Sequence, residues 1–120
     1  MINLLNSFRC AGAGIIYCLK NERNMRIHGA ATVLAVTLGF ICRLRALQWG
    51  LLFITITVVL VAEIINTAIE KTVDLNTTDF NPLAKTAKNV AAGAVLAAAF
   101  NSIIMGVIIF GPYVLSFIRR

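Results

Sequence analysis

Apolar residues run almost unbroken along three stretches of the chain. Gly29–Cys42, Ala46–Ala62 and Asn89–Ile118 contain no charged residue. A helix that crosses a bilayer needs roughly 20 mostly apolar residues, with a range of about 17–25. The first stretch reaches that length when its polar flanks extend toward the interfaces. The second reaches it by continuing through Glu63 to Ile69, and the third exceeds it. The pattern predicts an all-α membrane protein with one domain over residues 1–120 and transmembrane helices at about 27–44, 46–70 and 88–113.

Upstream of these spans the pattern changes. Leu4, Leu5, Phe8, Ile15 and Leu19 recur on one helical face, and Arg9, Lys20, Arg23 and Arg26 lie off or beyond it. This predicts an amphipathic helix over about 3–23, lying in the membrane surface. Arg9 argues against a fourth span, and Arg9 with Lys20 argues against a cleavable signal peptide. Arg43–Ala46 makes a tight turn between antiparallel neighbours. Leu75–Pro82, "LNTTDFNP", has the composition of a loop.

Composition agrees. The chain is 59% hydrophobic and 13% charged, and so few charges cannot cover the surface of a small soluble domain. Arg9, Lys20, Arg23, Arg26, Lys71, Lys85 and Lys88 fall on one side of the three spans, and Arg43, Arg45, Arg119 and Arg120 on the other. That bias places the N-terminus and the second loop in the cytoplasm and the C-terminus outside. The net charge of +6 suits an anionic membrane surface. It is not gathered into one basic stripe, which argues against nucleic acid. Cys10, Cys18 and Cys42 have no metal or disulfide spacing and read as free thiols.

The third span begins with small residues. Ala87, Ala91, Ala94 and Ala98 recur near one face, with Gly93 and Ala97 beside them. Small residues let helices approach closely in lipid, so a bundle interface is expected there. Three helices alone enclose little interior, and sheltering polar groups then calls for a homo-oligomer.

Those polar groups are concentrated in "VAEIINTAIEKTVD", residues 61–74. Glu63, Asn66, Glu70 and Asp74 project to one side of a helix. Glu63 lies about 10 Å inside the end of its span. A carboxylate at that depth costs on the order of 3 kcal/mol and is a functional candidate by default; here it suits a proton acceptor. Glu70 and Asp74 lie nearer the interface, with Glu22 on the same side. Carboxylates converging there suggest Mg²⁺, which takes one or two of them and then substrate phosphates. Lys85 and Lys88 are placed to neutralise those phosphates. A base, a metal site and a lysine are the parts of phosphoryl transfer, although no GxxxxGK[ST] segment is present.

Each residue also has a plainer reading. Glu63 could pair with a lysine or with backbone inside an oligomer, Glu70 and Asp74 could be solvated helix-end charges, and Asn66 could join two helices. Lys85 and Lys88 could mark only the cytoplasmic side. Two rival functions follow: a small ion-coupled transporter using Glu63, and a non-catalytic membrane interaction protein.

"NERNMRIHGA", "EIINTAIEKTVD", "PLAKTAKNVAAGAVL" and "GVIIFGP" resemble the signatures of the prokaryotic diacylglycerol kinase family, in order and spacing over nearly the whole chain. The blocks "ERNMRIH" and "AAGAVL" are closer to its undecaprenol kinase branch. The resemblance implies a homotrimer in a bacterial cytoplasmic membrane, each protomer having three transmembrane helices and a surface helix. It implies transfer of the γ-phosphoryl group of MgATP to a lipid hydroxyl, of undecaprenol or alternatively of diacylglycerol, at sites shared between protomers. Under it Glu63 is the general base, with Asn66 beside it, and Glu22 and Glu70 hold the divalent cation of the nucleotide site. Lys88 contacts ATP phosphates, Asp79, Phe80 and Asn81 approach the nucleotide, and Asp74 is an acidic residue without an assigned role.

One position departs from the family pattern Ala-Lys-Asp: this chain reads Ala87-Lys88-Asn89. Asparagine keeps the size but loses the charge. Because Glu22, Glu63, Asn66, Glu70 and Lys88 are intact, purified protein with MgATP is expected to phosphorylate short-chain lipid alcohols. No phosphorylation by this protein, together with recovery in Asn89→Asp, would overturn that expectation.

Overall fold

The computed structural model describes residues 3–120 and is helical almost throughout. Four helices follow one another: α1 (Leu4–Asn21), α2 (Arg23–Cys42), α3 (Ala46–Asn76) and α4 (Pro82–Ile118). Residues 1 and 2 of the domain expected over 1–120 lie outside the described residues. Three helices, α2 to α4, are long and apolar enough to cross a membrane. The chain is a multi-pass membrane protein.

The helices are longer than the spans expected within them. At about 1.5 Å per residue, the 37 residues of α4 extend about 55 Å and the 31 of α3 about 46 Å. Both outrun a hydrocarbon core of about 30 Å. The largest difference lies at the start of α4, which begins at Pro82 rather than near residue 88. The Asn81 side chain accepts from the amides of Leu83 and Ala84, and Pro82 occupies the first turn, where a missing N–H costs nothing. Lys85 and Lys88 therefore stand on the opening turns of α4.

The α1–α2 junction is a single residue. Glu22 adopts extended backbone (φ −104°, ψ 117°) and separates two otherwise continuous helices. Leu4, Leu5, Phe8, Ile15 and Leu19 on α1 are all exposed, and only Cys18 is buried. The chain itself does not cover that apolar face.

α3 is the centre of the bundle, packing on α4 along much of its length and on α2 and α1 over shorter stretches. Its buried stripe runs Leu52, Thr55, Val59, Glu63, Asn66 and Thr67, apolar at one end and polar at the other. α4 meets it through Ala91, Val95, Ala98 and Ile109. Of the small residues expected at one interface, Ala91 and Ala98 are buried, whereas Gly93, Ala94 and Ala97 face outward. An α-helix presents only the positions on its contact face, and the alanine cluster is wider than that face.

The end away from Glu22 is held by side chains. Leu44, Leu52 and Ile109 form a small core flanked by Trp49, Phe110 and Tyr113. The Gln48 side-chain oxygen accepts from the Arg45 amide and from the Tyr113 hydroxyl at 2.8 Å, tying the start of α3 to the end of α4. Arg43 closes α2 in the left-handed region (φ 56°), its amide and that of Leu44 returning to the last carbonyls of the helix.

Most large apolar side chains remain exposed. The accessible surface is 9029 Å² for 13.0 kDa, against about 6,300 Å² for a compact soluble protein of that mass. The radius of gyration is 17.8 Å, against about 13.6 Å. Lipid or further copies of the chain must cover this surface.

Gly39 faces Trp49 so closely that a Cβ there would lie 2.6 Å from the indole. That indole is itself stacked on Phe53 and tilted against Phe40. Gly39→Ala is expected to cost about 1–3 kcal/mol through overpacking. Gly50→Ala, with open space around it, is expected to hold or gain up to about 1 kcal/mol from helix propensity. Unfolding in detergent by heat or denaturant checks both.

Candidate functional site

The polar end of the α3 stripe meets α2 and the α1–α2 junction. Glu63 is 2% exposed. Its Oε2 is buried without a hydrogen-bond partner and lies 3.9 Å from His28 Nε2 on α2. The carboxylates of Glu70 and Glu22 are near enough for their charges to act on it. Thr67, also buried, returns its hydroxyl to the Glu63 carbonyl one turn back.

Asn66 points its amide at Glu70, Nδ2 donating to Oε1 at 3.4 Å, and leaves its own Oδ1 buried and unpaired. Glu22 pairs with Lys71 at 3.7 Å. The Tyr17 side chain, first, and the Glu22 carboxylate hold the Lys71 ammonium charged to higher pH than an isolated lysine. The Lys71 Nζ lies 5.9 Å from the centre of the Tyr17 ring. α1 is thereby linked to the end of α3 beside Glu22.

A second group of residues surrounds the α3–α4 loop. Asp74, Asp79, Phe80, Asn81, Lys85, Lys88 and Asn89 are among the residues lining an open cleft of about 470 Å³. Lys88 Nζ pairs with Asp74 Oδ1, which gives Asp74 a defined partner. Phe80 is 82% exposed and projects from the rim. Asn89 is exposed on the same lining.

The residues singled out from sequence thus fall into two neighbouring clusters. Glu22, Glu63, Asn66 and Glu70 gather at α1–α2–α3, and Asp74, Asp79, Phe80, Asn81, Lys88 and Asn89 gather at the cleft. Glu70 and Asp74, one turn apart on α3, join them about 6 Å apart along the axis. Among the described residues, no three His, Cys, Asp or Glu side chains gather closely enough to hold a metal on their own. Glu22 and Glu70 are nevertheless a pair that could hold Mg²⁺, which takes one or two carboxylates and fills its remaining positions with water and substrate phosphates. The opening turns of α4 add Lys85 and Lys88 to the cleft, whose positive charge favours anions.

Sequence reading missed His28 and Tyr17. His28 sits six residues beyond Glu22 in "NERNMRIHGA", and it is the only histidine in the chain. That signal was available, but which way it faced was not.

A profile of the prokaryotic diacylglycerol kinase family matches residues 9–110. The chain is 44% identical over 106 residues to an undecaprenol kinase of Bacillus subtilis, covering 88% of this chain and 86% of the relative. It is 42% identical over 115 residues to a diacylglycerol kinase of a Synechocystis species, covering 95% and 66%. A diacylglycerol kinase of Escherichia coli is 33% identical over 84 residues, covering 70% and 69%.

Asn66 tests the polar stripe without chemistry. Its Oδ1 gains nothing from burial, so Asn66→Leu is expected to keep stability within about 1 kcal/mol, since an apolar isostere removes an unsatisfied group. Asn66→Asp places a third carboxylate between Glu63 and Glu70 and is expected to cost more than about 1 kcal/mol. Thermal unfolding of the two variants in one detergent decides the order.

Proposed function

The chain belongs to the prokaryotic diacylglycerol kinase family, and on that premise we propose that it is a membrane lipid kinase transferring the γ-phosphoryl group of MgATP to undecaprenol. The observation that carries this reading is the placement of Glu63. It is buried on the spanning helix α3, the charges of Glu70 and Glu22 act on it, and an open cleft begins about 15 Å further along that helix, at Val73. The similarity to the Bacillus undecaprenol kinase favours that acceptor. Diacylglycerol, named for the other relatives, presents the same hydroxyl and is the alternative.

In the proposed reaction the lipid hydroxyl enters from the bilayer and stands beside Glu63. Its oxygen attacks the γ-phosphorus, the bond from that phosphorus to the β–γ bridging oxygen breaks, and ADP leaves. The hydroxyl proton passes to the Glu63 carboxylate, a general-base step worth about 10²–10⁴-fold. Glu22 and Glu70 hold the cation that accompanies the nucleotide, and Mg²⁺ when bound neutralises charge on the transferred group. Asn66 fixes Glu70 in that task. Lys88 exchanges Asp74 for a phosphate oxygen, while Asp79, Phe80, Asn81 and Asn89 line the nucleotide's approach.

The remaining architecture follows from the same reading. The end bearing Glu22 and the α3–α4 loop faces the cytoplasm of a bacterial cell, and the C-terminus lies outside. α1 rests its exposed apolar face in the membrane surface. Three protomers assemble, covering the outward faces of α3 and α4.

Glu63→Gln is expected to lower kcat at least about 100-fold with little change in ATP affinity. Glu22→Gln and Glu70→Gln are expected to raise the Mg²⁺ and ATP concentrations needed for half-maximal rate. Transfer of radiolabel from γ-labelled ATP, with undecaprenol and diacylglycerol compared in the same micelles, measures both effects and ranks the acceptors. Near-normal turnover by Glu63→Gln removes it as the base.

A further inference from the structure

Among the described residues, His28 is the one ionisable group acting on Glu63 that the reaction above does not use. Its Nε2 lies 3.9 Å from Glu63 Oε2, and that oxygen is buried with no hydrogen-bond partner. The other groups that bear on Glu63 cannot supply a proton donor. Glu70, on the same helix, and Glu22, at the α1–α2 junction, are carboxylates. The amide of Asn66 is turned to Glu70, and Lys71 is turned to Glu22. On α4, Lys88 is paired with Asp74, and no ionisable residue follows until Tyr113 at the far end.

His28 lines a cavity of about 200 Å³ between α2, α3 and α4, together with the hydroxyl-bearing Thr32, Thr55 and Ser102. All three hydroxyls donate to backbone carbonyls in their own helices and keep lone pairs free. The space is large enough for several waters, and the three hydroxyls would give them polar partners. A neutral imidazole with its proton on Nε2 then has an acceptor, Nδ1, that such water can satisfy.

We infer that His28 is a positioning residue for Glu63: its Nε2–H donates to Oε2, leaving the second carboxylate oxygen to take the proton of the lipid hydroxyl. The inference rests on Glu63 being the base. The separation of 3.9 Å is beyond a direct hydrogen bond. Such contacts are commonly long in a ligand-free site and tighten when the substrate binds. Fixing one oxygen removes the freedom of the carboxylate to rotate away from the acceptor, and a misplacement of about 1 Å at a reacting group costs about 100-fold.

The test compares three proteins in the lipid kinase assay. His28→Met removes the donor at similar side-chain length. His28→Gln places an amide N–H near the position of Nε2. His28→Met is expected to lower kcat about 10-fold or more, with KM for ATP and for lipid within about threefold of the parent. His28→Gln is expected to recover most of that loss. Unchanged kcat in His28→Met overturns the inference. So does a loss that His28→Gln fails to recover, or one expressed in KM. If His28→Met does not fold, judged by thermal unfolding in detergent, His28→Ala carries the same comparison. Glu63→Gln in the same assay separates the two readings. If it is inactive while His28→Met is normal, only the positioning role fails; if it is active, the base assignment fails first.

Discussion

A carboxylate carried by an apolar helix has to be kept from lipid, and the arrangement of this bundle follows from sheltering Glu63. An isolated ionisable group at that depth costs on the order of 3 kcal/mol or more. α3 answers by taking the central position, with α4 along one flank and α2 and α1 on others. Its buried stripe starts as Leu52 and Val59, which hold the helices together, and ends as Glu63, Asn66 and Thr67, which they enclose. The apolar half of one helix face supports the polar half.

The close approach that encloses those groups depends on side-chain size. Ala91, Val95 and Ala98 put little volume between α4 and α3 near Glu63. At the opposite end the contact is made by bulk instead, with Leu44, Leu52 and Ile109 in the core and Trp49 seated on Gly39. The bundle is thus tight around an indole at one end and around a carboxylate at the other. Between them, α2 and α4 leave the cavity lined by His28 and three hydroxyl residues. Gly93, Ala94 and Ala97 still face outward, and in the proposed trimer they allow a neighbouring helix to approach as α3 does.

Charge is divided along the same axis. All five acidic residues, Glu22, Glu63, Glu70, Asp74 and Asp79, belong to the end that holds the candidate site. The α2–α3 turn and the C-terminal end carry Arg43, Arg45, Arg119 and Arg120 with no acid beside them. Two acids at the site end are tied to lysines, Glu22 to Lys71 and Asp74 to Lys88, so the polar end is cross-linked by pairs that span helices. Those pairs are partly exposed, so each contributes little to stability. Their consequence is positional: they set α1 and α4 against the last turns of α3.

The sequence by itself determined the helices, because a chain in lipid must satisfy its backbone within each segment and the apolar runs mark where that happens. It also determined the polar face of α3, because residues 63, 66, 70 and 74 share a side of any helix they occupy. It under-read the start of α4. The run of charge-free residues marks only where lipid can reach, whereas Asn81-Pro82 marks where the helix begins. Pairings between elements were decided by tertiary structure alone. That Lys88 meets Asp74, that Lys71 meets Glu22 beside Tyr17, and that His28 faces Glu63 all depend on how α1, α2 and α4 are rotated about α3. Local periodicity fixes which residues share a face. The rotation of one helix against another is fixed by close packing of small and large side chains across the interface, and no single segment carries that information.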